Sequence, residues 1–258
     1  MFVNPSQGFI SIIIPTLNEE FGIGKTIQSI PKSAILKDTG YETEIIVVDG
    51  RSTDKTRDIA SKMGAKVIIE KRQGYGRACK SGFAASKGKI LVTIDADNTY
   101  PTQCIPSYVR TLVDGRLDFL SINRFSCMEK GAMNLRRRFG NKLLTLLIRL
   151  LYRLDIKDSQ SGMWIMRNSF ISQIKLISDD MSLSEEIKII AFRNFRAAEV
   201  GGKYSARCGK AKLKEFRDGW KNMTFALRYK RKIKAATPEL TSASLSFSSS
   251  NKKEILSE

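Results

Sequence analysis

The sequence predicts an α/β fold built on a mostly parallel sheet. Three observations carry this: short Ile/Val runs without polar alternation, stretches of roughly ten helix-compatible residues between them, and polar residues clustered where each run ends. A strand covered on both faces reads as a continuous apolar run. Parallel neighbours need a crossover of helical length between them.

Taken in order, Ile10 to Ile14 (ISIII) is the first strand, closed by Pro15 and followed by Asn18, Glu19 and Glu20. A helix is expected near Gly24 to Ile30. Glu44 to Val48 (EIIVV) is the second strand and ends at Asp49. Ser52, Thr53 and Asp54 then supply side-chain oxygens for the free N–H groups of a helix over Lys55 to Met63, and capping is the expected role of Asp54. Lys66 to Ile69 (KVII) is the third strand, Gly76 to Ser86 the third helix, and Lys89 to Ile94 (KILVTI) the fourth strand, ending at Asp95. In open parallel sheets ligands bind outside the carboxyl ends of the strands, so Asn18, Glu19, Asp49, Asp95 and Asp97 are expected to converge. Phosphate signatures of other α/β folds are missing: Gly74-Tyr75-Gly76 is only a GxG, and no GxxxxGK[ST] occurs.

With 258 residues, 42% of them hydrophobic, the chain can bury a sizeable core, which excludes wholesale disorder. Its 44 Lys and Arg against 26 Asp and Glu leave a net charge of +18 and predict an anionic partner. The charge is concentrated. Residues 124 to 157 contribute +7 and residues 203 to 234 contribute +10, so the first 123 residues are nearly neutral. There is no histidine, which removes Ser-His-Asp and Cys-His catalysis and His-ligated metals. The four cysteines, Cys79, Cys104, Cys127 and Cys208, form no CxxC pair and fit reduced packing residues of a cytoplasmic protein. The N-terminal residues do not read as a signal peptide, and no run approaches the length of a transmembrane helix.

Leu135 to Leu154 (LRRRFGNKLLTLLIRLLYRL) reads as a basic amphipathic helix. Arg138, Lys142, Arg149 and Arg153 share one side, and Phe139, Leu143, Leu147, Leu150 and Leu154 another. Such a helix can pack its leucines on a core or lie in a membrane interface; the all-basic polar side favours the membrane. Beyond Lys234 the Ser-rich residues 235–258 read as a disordered tail, leaving 1–234 as one domain with halves 9–120 and 121–234.

Asp95-Ala96-Asp97 is the sharpest chemical feature, because two carboxylates at a strand end suit Mg²⁺ or Mn²⁺, which keep positions open for phosphates. The runs IIIPTLNEE (Ile12 to Glu20), IIVVDGRSTDKT (Ile45 to Thr56), GYGRA (Gly74 to Ala78) and DADNTYP (Asp95 to Pro101) together resemble the family 2 glycosyltransferases. INRF (Ile122 to Phe125), RRRFGN (Arg136 to Asn141), DSQSGMWIMR (Asp158 to Arg167), SLSEEIKI with Glu185, and YSARCGKAKL (Tyr204 to Leu213) resemble the dolichyl-phosphate mannosyltransferase branch.

The resemblance implies a glycosyltransferase A fold, a Rossmann-like mostly parallel sheet flanked by helices. It implies inverting transfer of a hexose from GDP-mannose or UDP-glucose to a polyprenyl phosphate. Pro15, Leu17, Glu19 and Asp49 would hold base and ribose, and Asp95, Ala96 and Asp97 the ribose, diphosphate and metal. Thr99 stands where the branch commonly has Gln as a further metal ligand. Arg124, Arg138 and Arg207, with Asn141 and Lys212, would face the acceptor phosphate, Asp97, Arg124 and Arg207 being the catalytic set. A phosphate acceptor is already anionic at neutral pH, so it needs no strong base, in keeping with a chain that has no histidine. The expected partners are a nucleotide sugar, a polyprenyl phosphate and the anionic cytoplasmic face of a membrane. A hydroxyl acceptor would instead need Asp158 or Glu185 as base. A nucleic-acid partner is not expected, since the basic segments lack RNA-recognition or zinc-finger patterns.

Overall fold

A computed structural model of the chain describes residues 9–31, 42–209 and 218–233. Lys212 and the Ser-rich tail 235–258 lie outside the described residues. In chain order the elements are β1 (Phe9–Thr16), α1 (Ile23–Ser29), β2 (Glu42–Asp49), α2 (Thr56–Lys62), β3 (Lys66–Ile69), α3 (Tyr75–Ala85) and β4 (Ile90–Thr93). A 3₁₀ turn (Thr102–Cys104) leads to α4 (Ile105–Asp114), then β5 (Phe119–Met128), α5 (Leu135–Tyr152), β6 (Trp164–Arg167), α6 (Asn168–Ser172), α7 (Leu183–Asn194) and β7 (Ala197–Tyr204). A further helix, α8, covers residues 218–233.

The strands form one seven-stranded sheet in the order β3-β2-β1-β4-β6-β5-β7. β1 pairs in parallel with β2 and β4, and β2 with β3, as the apolar runs predict. The second half of the chain extends this sheet. β6 runs antiparallel to β4 and β5, and β7 parallel to β5, with a register shift between Asn123 and Cys127. Both faces are covered. Ile10, Ile12 and Ile14 point into one core with α1 and α4, whereas Ile13, Ile46 and Val48 point into the other with α3 and α7. Burial on alternate sides explains why β1 lacks the polar alternation of a half-exposed strand.

Helix α5 forms where its spacing predicts. Asn134 caps its start, its Oδ1 accepting from Arg137 N at 2.7 Å, and Arg153 ends it in the left-handed region at φ 56°. The side that packs differs from the expected leucine stripe. Leu144, Thr145, Ile148 and Tyr152 are buried, Ile148 and Tyr152 joining Ile189 of α7 and Ala226 of α8 in a third cluster. Phe139, Leu143 and Leu150 of the expected set are exposed, together with Leu135 and Leu146; Leu154 is buried just past the helix. At 100° per residue the exposed stripe spans about 80° and lies roughly opposite the packed side. Arg138, Lys142, Arg149 and Arg153 flank it, all exposed. Among the described residues no helix is long and apolar enough to cross a membrane.

Candidate active site

The sheet order changes direction at β1, whose neighbours are β2 and β4, so the carboxyl ends of these three strands open a crevice together. Three non-glycine residues in the left-handed region line it: Asn18 (φ 51°), Arg51 (φ 75°) and Asn98 (φ 59°). Such backbone is tolerated where surrounding bonds enforce it. Here Asn18 N donates to Ser52 Oγ, Thr53 N donates to Asn18 Oδ1, and Asn98 N donates to Thr26 Oγ1. Asp54 does not occupy the expected cap: Lys55 is the N-cap residue of α2 and no side chain caps it, whereas Asp54, one residue earlier, accepts from Thr56 N at 3.0 Å through Oδ1 and from Glu20 N through Oδ2.

Asp49 ends β2 opposite Thr16 of β1 and is wholly buried. Its Oδ1 accepts from the N–H groups of Arg51 and Ser52, whereas Oδ2 and the neighbouring Thr16 Oγ1 are buried without a hydrogen-bond partner among the described residues. Buried polar atoms are almost always satisfied, so two orphans at adjoining strand ends mark a place for a polar ligand.

Asp95 and Asp97 follow β4. A Cβ on Gly22 would lie 2.6 Å from the backbone oxygen of Ala96, so the start of α1 approaches this loop only through glycine, and one on Gly162 would lie 2.9 Å from Asp95 Oδ1. Burial, then the charge of Asp97, push the Asp95 carboxyl up to about 7, against the opposing pull of Arg124, Arg137 and Arg207. Asp97 Oδ1 accepts from Thr99 Oγ1 at 2.7 Å and more loosely from Thr99 N at 3.3 Å. Thr99, expected as a metal ligand, has its hydroxyl engaged with the Asp97 carboxylate. Arg207 Nη2 lies 2.9 Å from Glu19 Oε1 and 3.6 Å from Asp97 Oδ2, joining three predicted residues.

Arg124 departs from the expectation of an open acceptor contact. It is 4% exposed, and its Nε and Nη2 each donate to Asp158 at 2.7 Å. The guanidinium packs 5.5 Å from the Tyr204 ring centre. Burial opposes ionisation of Asp158, but Arg124 outweighs it and holds the carboxyl below its usual range. Lys188, fully buried on α7, donates to the carbonyl oxygens of Asp158 and Ser161. Glu185, one turn earlier, accepts from Gln160 Nε2 at 2.7 Å, has a buried Oε2 without a partner, and is pushed by burial up to about 8. Arg138 is exposed and lines a cavity of about 440 Å³ with Phe125, Met133 and Leu135, while Asn141 Nδ2 contacts Met133 Sδ at 3.6 Å. Neither forms a hydrogen bond or ion pair with the carboxylate cluster among the described residues. Pro15 and Ala96 are buried in the crevice wall and Leu17 is exposed at its rim.

Residues 11–175 match the model of glycosyl transferase family 2. The chain belongs to this family. The glycosyltransferase is 34% identical to the dolichyl-phosphate hexose transferase of Haloferax volcanii over 213 residues, 81% of this chain and 89% of the relative. It is 29% identical to the dolichol-phosphate mannosyltransferase of Pyrococcus furiosus over 80% of the chain, but spans only 59% of that protein. Glucosyl-3-phosphoglycerate synthase of Mycobacterium tuberculosis, solved with Mn²⁺, UDP-glucose and phosphoglyceric acid, superimposes with a TM-score of 0.68 at 24% identity, covering 86% of this chain and 79% of that one. At that identity the likeness speaks for the fold.

The residues of this glycosyltransferase fit a nucleotide sugar and a divalent cation. Asp95 and Asp97 offer hard oxygen donors, and the orphaned Asp49 Oδ2 and Thr16 Oγ1 await polar groups. Among the described residues no group of three His, Cys, Asp or Glu converges, so a cation on this pair would complete its shell with diphosphate oxygens and water. Arg137 was not legible as a site residue, since it is one of three consecutive arginines. Its charge bears on Asp95 from the first turn of α5.

Proposed function

We propose that this glycosyltransferase moves a hexose from a nucleoside diphosphate sugar to a polyprenyl phosphate, with inversion, at the cytoplasmic face of an anionic membrane. One observation carries the choice of acceptor. A hydroxyl acceptor needs a carboxylate to take its proton, and the two candidates for that role, Asp158 and Glu185, are unsuited. Asp158 is bound through both oxygens to Arg124, and Glu185, raised to about 8, holds its proton at neutral pH. A phosphate monoester brings an anionic oxygen and needs neither.

In this reading Asp49 accepts from the base through its free Oδ2, and Glu19 and Leu17 border the nucleoside. A cation held by Asp95 and Asp97 supplies charge compensation for the diphosphate when bound. Thr99 keeps Asp97 in one orientation, and the glycine contacts of Gly22 and Gly162 hold the loop against α1 and the 158–163 segment. Arg207 and Arg137 bring positive charge to where the acceptor phosphate must approach a second anion. The phosphate oxygen attacks the anomeric carbon, the bond from that carbon to the diphosphate oxygen breaks, and the nucleoside diphosphate leaves. The names of the Haloferax and Pyrococcus relatives support both the hexose and the lipid phosphate.

The exposed stripe of α5 supports the membrane. Leu135, Phe139, Leu143, Leu146 and Leu150 lie opposite the packed side and are bordered by exposed Arg138, Lys142, Arg149 and Arg153, the pattern of a helix lying in a headgroup layer. The test is incubation with GDP- and UDP-hexoses, Mn²⁺ and dolichyl phosphate. Transfer to the lipid, with release of the sugar by mild acid as a glycosyl phosphate requires, is the expected result. An acid-stable glycoside, or transfer that ignores the lipid phosphate, rejects the reading.

A further inference from the structure

Asp97 has one oxygen engaged by a hydrogen bond and the other facing a guanidinium. Oδ1 is taken by Thr99, which leaves Oδ2 as the atom open to a metal, and Oδ2 is the oxygen on which Arg207 Nη2 rests at 3.6 Å. The same nitrogen donates to Glu19 Oε1 at 2.9 Å. Arg207 is held there by its backbone: Ser205 N donates to Thr99 O and Cys208 N to Asp97 O, each at 2.9 Å, so residues on either side are bonded to the loop that carries the carboxylates. Its side chain is 20% exposed, against 12% for Asp97 and 13% for Glu19. Among the described residues its Nε is buried with no hydrogen-bond partner.

We infer that Arg207 is a built-in counter-ion of the Asp97 carboxylate, which a divalent cation must displace, and that its release makes the guanidinium available to the acceptor phosphate only after metal and donor are in place. A guanidinium and a divalent cation cannot share one carboxylate oxygen at contact distance without strong repulsion. The pinned backbone limits the movement to the side chain. The unpartnered Nε shows that the present pose leaves donor capacity unused, and a phosphate can take Nε and Nη2 together as a fork. The displacement also orders the reaction. A phosphate arriving before the metal finds Arg207 engaged with Glu19 and Asp97, so donor binds first. This inference rests on the reading of Asp97 as a metal ligand.

The experiment is Mn²⁺ binding to the full chain, followed by the electron paramagnetic resonance of free Mn²⁺, alone and with saturating UDP or GDP, for wild type, Arg207→Met, Arg207→Lys and Asp97→Asn. Circular dichroism establishes that each variant is folded. Arg207→Met is expected to bind Mn²⁺ about tenfold more tightly than wild type in the absence of nucleotide, because the competing cation is gone, with Arg207→Lys close to wild type. Equal or weaker binding by Arg207→Met overturns the counter-ion. A second readout tests order with inorganic phosphate as the probe. The Arg207-dependent part of its thermal stabilisation, wild type minus Arg207→Met, should appear only with Mn²⁺ and nucleoside diphosphate present, and its appearance without them overturns the ordering. Asp97→Asn binding Mn²⁺ as wild type does would instead remove the metal reading itself, an outcome distinct from either.

Discussion

The two halves of the sheet hold their functional residues by different means. At the ends of β1, β2 and β4, parallel pairing brings Thr16, Asp49 and the Asp95 to Asp97 loop into one crevice, and buried oxygens there are left unpartnered. Around β5, β6 and β7 the buried cations are already engaged: Arg124 grips Asp158, and Lys188 donates to two carbonyl oxygens, while Glu185 keeps one oxygen without a partner among the described residues. The excess positive charge of this half is placed outside, along α5. The first region is prepared for a ligand; the second is a braced wall with a surface of its own. A residue's type therefore says less about its role than whether its polar atoms have partners.

The largest effect should come from the prepared side. Asp97→Asn should lower transfer by at least about a hundredfold, measured as initial rate with saturating donor, since even outer partners of metal ligands are worth about 10- to 100-fold. Near-normal turnover would erase the contrast between the regions. On the braced side the effect should be on stability. Asp158→Asn leaves the Arg124 charge buried without its partner and should cost about 3–5 kcal/mol in urea unfolding. A loss below about 1 kcal/mol, the range of an exposed pair, would mean that the wall is not braced by this pair.

Helix α5 offers a sharper comparison within one element. Ile148→Ala should cost about 2–5 kcal/mol, as for other buried large-to-small changes, whereas Leu150→Ala should stay within about 0.5 kcal/mol. The order should reverse in co-sedimentation with anionic liposomes, where replacing Phe139, Leu143 and Leu150 with Ser weakens binding and Ile148→Ala does not.

A last contrast concerns pH. Glu185 is raised by burial from an ordinary 4.5 to about 8, so between those values the folded chain keeps a proton that the unfolded chain has lost. Stability contributed by the protonated form is therefore full below about pH 4.5 and declines up to about pH 8, with a limiting slope of about 1.4 kcal/mol per unit. Lys188, lowered by burial to about 8, acts in the opposite sense between that value and its ordinary 10.5. Glu185→Gln should flatten the decline from pH 5 to 8 in thermal unfolding, and an unchanged slope would place its origin elsewhere.

The strands of the first half and the convergence of their terminal acidic residues were legible because they follow from local rules. Apolar runs read as buried strands, and parallel order brings their carboxyl ends together. Residue pairs distant in sequence were not legible. Arg207 meets Glu19 across 188 positions, and Arg124 meets Asp158 across 34, and no spacing rule encodes either. Had Arg124 been judged by its neighbours in the chain it would be one more surface cation, and only the packing of β5 against the 158–163 loop makes it a buried one.

Helix α5 shows where the boundary falls. By itself the sequence determined that residues near 135–154 form a helix with an apolar stripe and a basic border, because spacing near 3.6 residues is a local property. It contains two apolar stripes on roughly opposite sides, Leu144 with Ile148 and Tyr152, and Phe139 with Leu143 and Leu150. Periodicity ranks them alike. Only the tertiary structure decided that the first packs against Ile189 and Ala226 and the second stays open, because burial depends on which surfaces distant segments bring to meet a helix.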